Sequence, residues 1–456
     1  MLMNIYLVGI KGTGMSHLAA FLKKQGNNVS GCDIKEDFFT APILKGLNIF
    51  SFNDPLPSDT DLVIYSSAYE NKSIKPLVDA HKRNISIYTY PEFLALLSKQ
   101  SSTFGISGTH GKTTTASYSS YLLKSANVNC GAIFGSFLLD NSVYYNGNRN
   151  LLLEACEYKD HFNLYSLDGL VITNIDYDHP DYFKCLDDVK NSFHKRVISL
   201  NQNGIVICHK SVYSLVSSWC VERPDIKIIS YSNNRFKIDN DAELLINFDC
   251  CEMALNIKDD ILASLLISAV IMLRDSNTSF DSYILFEKVN MLKEYIPSFP
   301  GVASRGEVVC KANDITFICD YAHHPTEIKT CIENSRMKYP SSRIIVVFMP
   351  HTASRTNALM NEFVSSLSLA DCLFIQDVYS SARKDNSNEN LSKQLVKKIE
   401  KKMFRSLYST ISQVVYLPSD DMAVRVISSF LLSGDICITM GAGDNRKLIK
   451  RIVENI

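Results

Sequence analysis

Apolar residues along this chain come in short runs, each ended by glycine or small polar residues and followed by a stretch with helical spacing. That order predicts strand, glycine loop and helix, and its repetition implies a parallel, doubly wound α/β sheet. Three such starts divide the sequence. The first is Ile5–Val8, then Gly9-Ile-Lys11-Gly12-Thr-Gly14-Met15, then a helix through Lys24. Strands Asn28–Cys32, ending at Asp33, and Leu62–Tyr65, ending in Ser66-Ser67-Ala68, continue it, and Tyr90-Pro-Glu92 opens a connecting helix. After the polar break Lys99–Ser102, the second start is the apolar run 102–107, Gly108–Thr115, and a helix over Ala116–Ser125. Leu151–Glu154, Leu170–Thr173 and Gly204–Cys208 read as strands with polar C-terminal ends, where ligands collect in open sheets. Ile261–Arg274 is apolar over most of its helical surface, which predicts a buried helix. The third start opens near Pro300-Gly301, with strands Ile315–Cys319, Arg343–Phe348, Cys372–Ile375 and Asp435–Met440. Helices Leu391–Lys402 and Met422–Leu432 lie between them, and Gly441-Ala-Gly-Asp444 closes the pattern. The expected domains are 1–98, 99–298 and 299–456.

Composition narrows the class. With 456 residues, 46% hydrophobic and 21% charged, the chain has the values of a globular protein with several cores. A net charge of −1 gives no broad nucleic-acid or membrane-surface footprint. No apolar run is long enough to span a bilayer. The 13 cysteines show no repeated Cys-x-x-Cys pair, and adjacent Cys250 and Cys251 do not make a zinc pattern; reduced thiols in a cytoplasmic protein are expected. The apolar N-terminus lacks a basic leader and runs into a glycine loop, so it reads as a strand and not a signal peptide. Lys397–Lys402 reads as a solvated helix face.

Candidate chemistry sits at the loops. Between a strand and a helix, Gly108-Thr109-His110-Gly111-Lys112-Thr113-Thr114 can turn backbone N–H groups toward a triphosphate. Lys112 can reach the β- and γ-phosphates, and the Thr113 hydroxyl can hold Mg²⁺. The strict P-loop spacing wants glycine where Ile106 stands, so this is a variant, and ATP is the expected ligand. The Gly9–Gly14 loop departs from the dinucleotide fingerprint at Lys11, although Asp33 stands at the acidic position; pyrophosphate binding and a structural turn both fit. Lys11 would add positive charge beside a pyrophosphate. In Glu154-Ala-Cys-Glu157-Tyr158 a carboxylate could hold Mg²⁺, and Thr173-Asn174-Ile-Asp-Tyr-Asp-His179-Pro-Asp181 adds acids and a histidine after a strand. Asp320-Tyr321-Ala-His-His-Pro325 and Pro350-His351-Thr-Ala-Ser354-Arg355-Thr356 follow what read as neighbouring strands. They could bind a carboxylate or phosphate, or could simply be capped helix starts.

Taken in order over nearly the full length, these motifs resemble the Mur ligases, and within them the alanine-adding branch. The resemblance implies an N-terminal Rossmann-like UDP-sugar domain, a central ATPase domain and a C-terminal Rossmann-like domain. It implies ATP-dependent joining of L-alanine to the lactoyl carboxylate of UDP-N-acetylmuramate through an acyl phosphate, in peptidoglycan precursor synthesis. A relative that recycles a tripeptide onto the same nucleotide, and a non-catalytic regulator on the same scaffold, are the alternatives. Carried over by motif, Thr113 and Glu157 would bind one Mg²⁺ and His179 a second ion, while His110 and Asn174 would line the reacting centre with Lys112. His351, Ser354 and Arg355 would hold the alanine or the transferred phosphoryl group, and Asp320, Tyr321 and Arg305 the nucleotide. The substrate nucleotide would meet Gly9, Lys11, Gly12, Gly14, Met15, Asp33, Ser66 and Ser67. A monomer or a homodimer is compatible with the pattern. The chain departs from the family at Lys258-Asp259-Asp260, where a His-Asn pair usually opens the central helix at the adenine. It departs again at Ser304, where one of two usual arginines is missing, and at Lys11, a usual glycine.

Overall fold

The structure is a computed structural model that describes residues 2–36, 38–70, 73–239, 241–248, 255–278, 280–379, 391–405, 411–441 and 445–456. It contains three sheets with helices between their strands. The described residues divide into two compact units: one holds those up to Tyr177, those from Cys185 to 248, and Ile257–Gly301, and the other holds Asp178–Lys184 and those from Val302 to Ile456.

The first sheet is wholly parallel, in the order Asn48–Phe50, Asn28–Cys32, Asn4–Val8, Leu62–Tyr65, Ser86–Thr89. Asn4–Val8 sits at the point where strand order reverses, the usual crevice of such sheets. Tyr6, Val8, Cys32 and Val63 pack its core. The second sheet has eight strands, in the order Leu244–Leu245, Arg235–Ile238, Lys227–Ser232, Ile205–His209, Gly169–Ile172, Ser102–Ser107, Asn150–Glu154, Cys130–Ile133. Its pairings are parallel from Lys227–Ser232 onward and antiparallel before it. Strands such as Gly169–Ile172 are buried along their whole length, as both-face burial in a parallel sheet requires. The expected buried helix is Leu255–Asp275, whose residues from Ile261 to Val270 are inaccessible; Ser264 Oγ ties it to the Thr115 carbonyl at 3.0 Å.

In the second unit the order is Glu307–Ala312, Ile315–Asp320, Ile436–Gly441, Ile344–Met349, Cys372–Ile375, Gln413–Tyr416, with only the first strand antiparallel. This corrects one expectation. The Asp320 and His351 loops do not follow neighbouring strands, because Ile436–Gly441 lies between them. A strand distant in sequence was inserted, and local patterning carries no information about that pairing. Lys397, Lys398, Lys401 and Lys402 are exposed as expected. The described cysteines are all free thiols, while Cys250, Cys251 and residues 442–444 lie outside the described residues. No described helix is long and apolar enough to cross a membrane.

Candidate active site

Strand Ser102–Ser107 lies between Asn150–Glu154 and Gly169–Ile172, with Ile106 opposite Glu154 and Ser107 opposite Ile172. Their C-terminal ends bring the glycine loop, the acids at 154–157 and the segment after Thr173 to one edge. Gly108 has φ +133° and Gly111 φ +81°. A Cβ at Gly108 would fall 2.0 Å from Thr173 Oγ1, and one at Gly111 would fall 2.5 Å from an Asp260 carboxylate oxygen, so both turns require glycine. The helix begins at Lys112, not Ala116, and no side chain caps it. Its first N–H groups can therefore serve an anion.

Lys112 Nζ donates to the Gly108 and Thr109 carbonyls at 2.5 and 3.0 Å and to the Glu157 carboxylate at 3.2 and 3.1 Å. Burial works to lower its pKa, but the carboxylates of Glu157 and Glu154 outweigh burial and raise it, so the ammonium stays charged. Thr113 Oγ1 donates to both Glu154 oxygens at 3.0 and 3.1 Å, and the Gly135 N–H reaches Glu154 at 2.7 Å. Thr113 thus meets Glu154, while Glu157 meets Lys112. The sequence signal for Glu154 is its place as the last residue of the run Leu151–Leu153, where the side chain leaves the sheet at its edge. Thr114 completes the first turn, half-buried.

His110 and Asn174 do come together. The His110 N–H donates to Asn174 Oδ1 at 2.9 Å, and Asn174 Nδ2 and Thr173 Oγ1 donate to the His110 carbonyl at 3.0 and 2.5 Å. His110 Nε2 stands 3.5 Å from Asp176. Where the family carries His-Asn, Asp259 accepts from His209 Nε2 at 3.2 Å and from the Asn233 N–H at 2.8 Å, and Asp260 lies against Gly111.

On the first sheet, the Gly9–Gly14 loop and Ser66 follow adjacent strands, with Val8 opposite Tyr65. Gly9, at φ +81°, lies so close to Tyr69 that a Cβ would come within 2.6 Å of the ring, and a Cβ at Gly14 would come within 2.9 Å of the Tyr90 hydroxyl. Gly12 is the N-cap of helix Thr13–Lys24, Met15 is buried on it, and Ser66 Oγ accepts from the Ala68 N–H in the turn that holds Ser67. Asp33 accepts from the Lys11 and Ile34 N–H groups at 2.7 and 2.8 Å, and its burial raises its pKa. The Lys11 ammonium donates to the carbonyls of Ile34, Lys35 and Glu36 at 2.9, 3.3 and 2.8 Å and so braces the turn after Asp33.

The second unit holds the remaining predicted residues. Arg355 is buried and forms a two-pronged pair with Asp178, Nε to Oδ1 at 2.7 Å and Nη2 to Oδ2 at 3.1 Å. Burial would raise the Asp178 pKa, but Arg355 and His179 hold it well below the usual carboxylate range. The His179 N–H donates to Asp178 Oδ1 at 2.6 Å, and His179 has φ +55°. His351 and His323 face each other with ring centroids 5.7 Å apart, so the loops converge despite the intervening strand. Ser354 Oγ reaches Thr352 Oγ1 at 3.4 Å. Asp320 accepts from the Gly306 and Ala322 N–H groups, both at 2.7 Å, and its burial raises its pKa. Arg305 lies over the Tyr321 ring at 5.5 Å and 3.9 Å from Glu327. His324 caps helix Pro325–Lys338 in a capping box with Glu327, so that loop is a capped helix start as well.

Three family models match the chain in sequence: "Mur ligase family, catalytic domain" over residues 4–102, "Mur ligase middle domain" over 106–263, and "Mur ligase, glutamate ligase domain" over 304–443. A Borreliella burgdorferi protein named UDP-N-acetylmuramate–L-alanine ligase is 34% identical over 462 residues, 97% of each chain. Among solved structures, the UDP-N-acetylmuramate-alanine ligase of Thermotoga maritima aligns with TM-score 0.68 at 23% identity, covering 99% of this chain and 98% of that one. A murein peptide ligase from Psychrobacter arcticus aligns with TM-score 0.65 at 19% identity, covering 100% and 99%.

Proposed function

This chain belongs to the Mur ligase family, and from that premise we propose that it joins L-alanine to the lactoyl carboxylate of UDP-N-acetylmuramate at the expense of ATP. The observation that carries the reading is the cluster at the start of helix Lys112–Ser125: an uncapped N-terminus, a charged Lys112, and Thr113 hydrogen-bonded to Glu154. A lactoyl carboxylate oxygen attacks the γ-phosphorus, forming an acyl phosphate and releasing ADP. The amine of alanine then attacks the acyl carbon, and phosphate leaves with the C–O bonding pair. Lys112 and the loop N–H groups stabilise charge on the transferring phosphoryl group. Thr113 and Glu154 fit Mg²⁺, a hydroxyl and a carboxylate oxygen being the donors that ion takes, and the ion would neutralise phosphate charge there. His179 is assigned to a second ion. The Gly9–Gly14 loop, Asp33, Ser66 and Ser67 bind the sugar nucleotide, Asp320, Tyr321 and Arg305 the ATP nucleoside, and His351, Ser354 and Arg355 the amino acid or phosphoryl group. Domains 1–98, 99–298 and 299–456 carry these parts, in the cytoplasm.

The test is phosphate release from ATP with Mg²⁺ and UDP-N-acetylmuramate, with and without L-alanine, and with the tripeptide in parallel. Release that requires both sugar nucleotide and alanine is expected. Release with the tripeptide alone would move the chain to the recycling branch, and none with either amine despite sugar-nucleotide binding would make it a regulator.

A further inference from the structure

Asp178 has no part in the roles above, yet it is 5% exposed and holds Arg355 through both carboxylate oxygens. A guanidinium has five N–H groups. Asp178 takes the Nε–Nη2 edge, while Nη1 meets the His351 carbonyl at 3.5 Å, too long for a strong bond. With Glu327 a further carboxylate acting on this guanidinium, the Nη1 side is the part of the fork left with only a long hydrogen bond. The backbone on both sides is held in place for this pair. Thr352, a β-branched residue at φ +65°, keeps that conformation by accepting from the Arg355 N–H at 3.4 Å and, through its carbonyl, from Thr356 Oγ1 at 2.8 Å. Opposite it, His179 keeps φ +55° with its N–H on Asp178.

We propose that Asp178 is a positioning residue for the amino-acid step: it clamps one edge of the Arg355 guanidinium and so presents the other edge to the carboxylate of the incoming amino acid. This rests on the ligase reading. A planar fork suits a carboxylate, and holding that group leaves the amine as the part of alanine able to attack.

The experiment compares wild type, Asp178→Asn and Asp178→Glu in steady-state turnover, with alanine and with alaninamide, which lacks the carboxylate. Asp178→Asn is expected to raise KM for alanine about tenfold or more, to leave KM for ATP and the sugar nucleotide within about twofold, and to shrink the preference for alanine over alaninamide. Asp178→Glu should restore part of that preference. Unchanged alanine kinetics, or a common shift in all three KM values, would overturn the proposal. Hydrogen exchange needs no turnover: Asp178→Asn should speed exchange across residues 353–358, and unaltered exchange there removes the clamp even if the wild type uses neither amine. A wild type without amine-dependent phosphate release tells against the ligase reading instead.

Discussion

Lys112→Met separates the catalytic from the structural part of the loop lysine. Its ammonium lies 3.1 Å from Glu157, whose side chain is 1% exposed, so the substitution leaves a carboxylate buried without its cation. Breaking such a pair costs about 3–5 kcal/mol. The carboxylate can limit the loss by taking a proton. At pH 7 that costs about 3.7 kcal/mol, from an unfolded pKa of about 4.3 at about 1.36 kcal/mol per unit. A carboxyl whose folded pKa is raised binds the extra proton in the folded state, so the penalty shrinks as pH falls, to about 1 kcal/mol at pH 5. Lys112→Met/Glu157→Gln has no charge left to strand and should come within about 1 kcal/mol of wild type at either pH. Both variants should lack turnover yet bind the sugar nucleotide, since the loop proposed for it lies on another sheet. Urea unfolding read by fluorescence of Trp219, the single tryptophan, follows the unit that contains this pair. A pH-independent penalty, one that Glu157→Gln fails to relieve, or an active Lys112→Met enzyme would refute the reasoning.

Further outcomes follow from the same geometry. Glu154→Gln should weaken binding of the Mn²⁺ complex of a non-hydrolysable ATP analogue about tenfold while binding of the metal-free analogue is kept or strengthened, as calorimetry would show. Equal losses in both would remove Glu154 from the metal site. Gly111→Ala should cost about 1–2 kcal/mol in backbone strain besides the contact with Asp260, and analogue binding should recover in part with Asp260→Ala. His17 is wholly buried, with Nδ1 2.5 Å from the Ser136 carbonyl, and burial pushes its pKa down to about 4 against the carbonyl contacts that favour charge. Its neutral form stabilises the fold above about pH 6.5, and about 3 kcal/mol of that is lost as pH falls toward 4. His17→Leu should lack this slope in urea midpoints, and parallel wild-type and variant curves would contradict it.

The strands legible in the sequence were the buried ones. Leu62–Tyr65 and Cys372–Ile375 announce themselves because a parallel strand covered on both faces is a run of apolar residues with polar punctuation. Asn48–Phe50, Ser86–Thr89 and Gln413–Tyr416 did not, since they are short and half-exposed and owe their pairing to a neighbour already in place. The glycine loop was legible because its φ values admit little else. The partner of each acid was not: Glu154 and Glu157 are separated by less than a helical turn of sequence, and which one meets Thr113 depends on where Asn150–Glu154 ends at the sheet edge. Lys11 likewise could be placed near the sugar loop, but its ammonium is drawn to carbonyls of the turn after Asp33 that no spacing rule anticipates.

On the proposed reading, the charge balance around Gly111 gives a physical reason for a metal to accompany the nucleotide. Glu154, Glu157 and Asp260 surround a loop whose cation is Lys112, and that cation is already held by Glu157. Two like charges about 4 Å apart repel by about 4 kcal/mol at the effective dielectric of a protein surface, so a bare triphosphate entering among these carboxylates is opposed. Backbone N–H groups and the helix terminus offset only part of that, at about 0.3–2 kcal/mol for the dipole. On that reading the acids would act less as phosphate binders than as a filter that admits nucleotide with its divalent ion. Asp260, which lies against Gly111, would strengthen such a filter by adding a carboxylate there. Removing Glu154 should for the same reason have opposite effects on metal-bound and metal-free nucleotide.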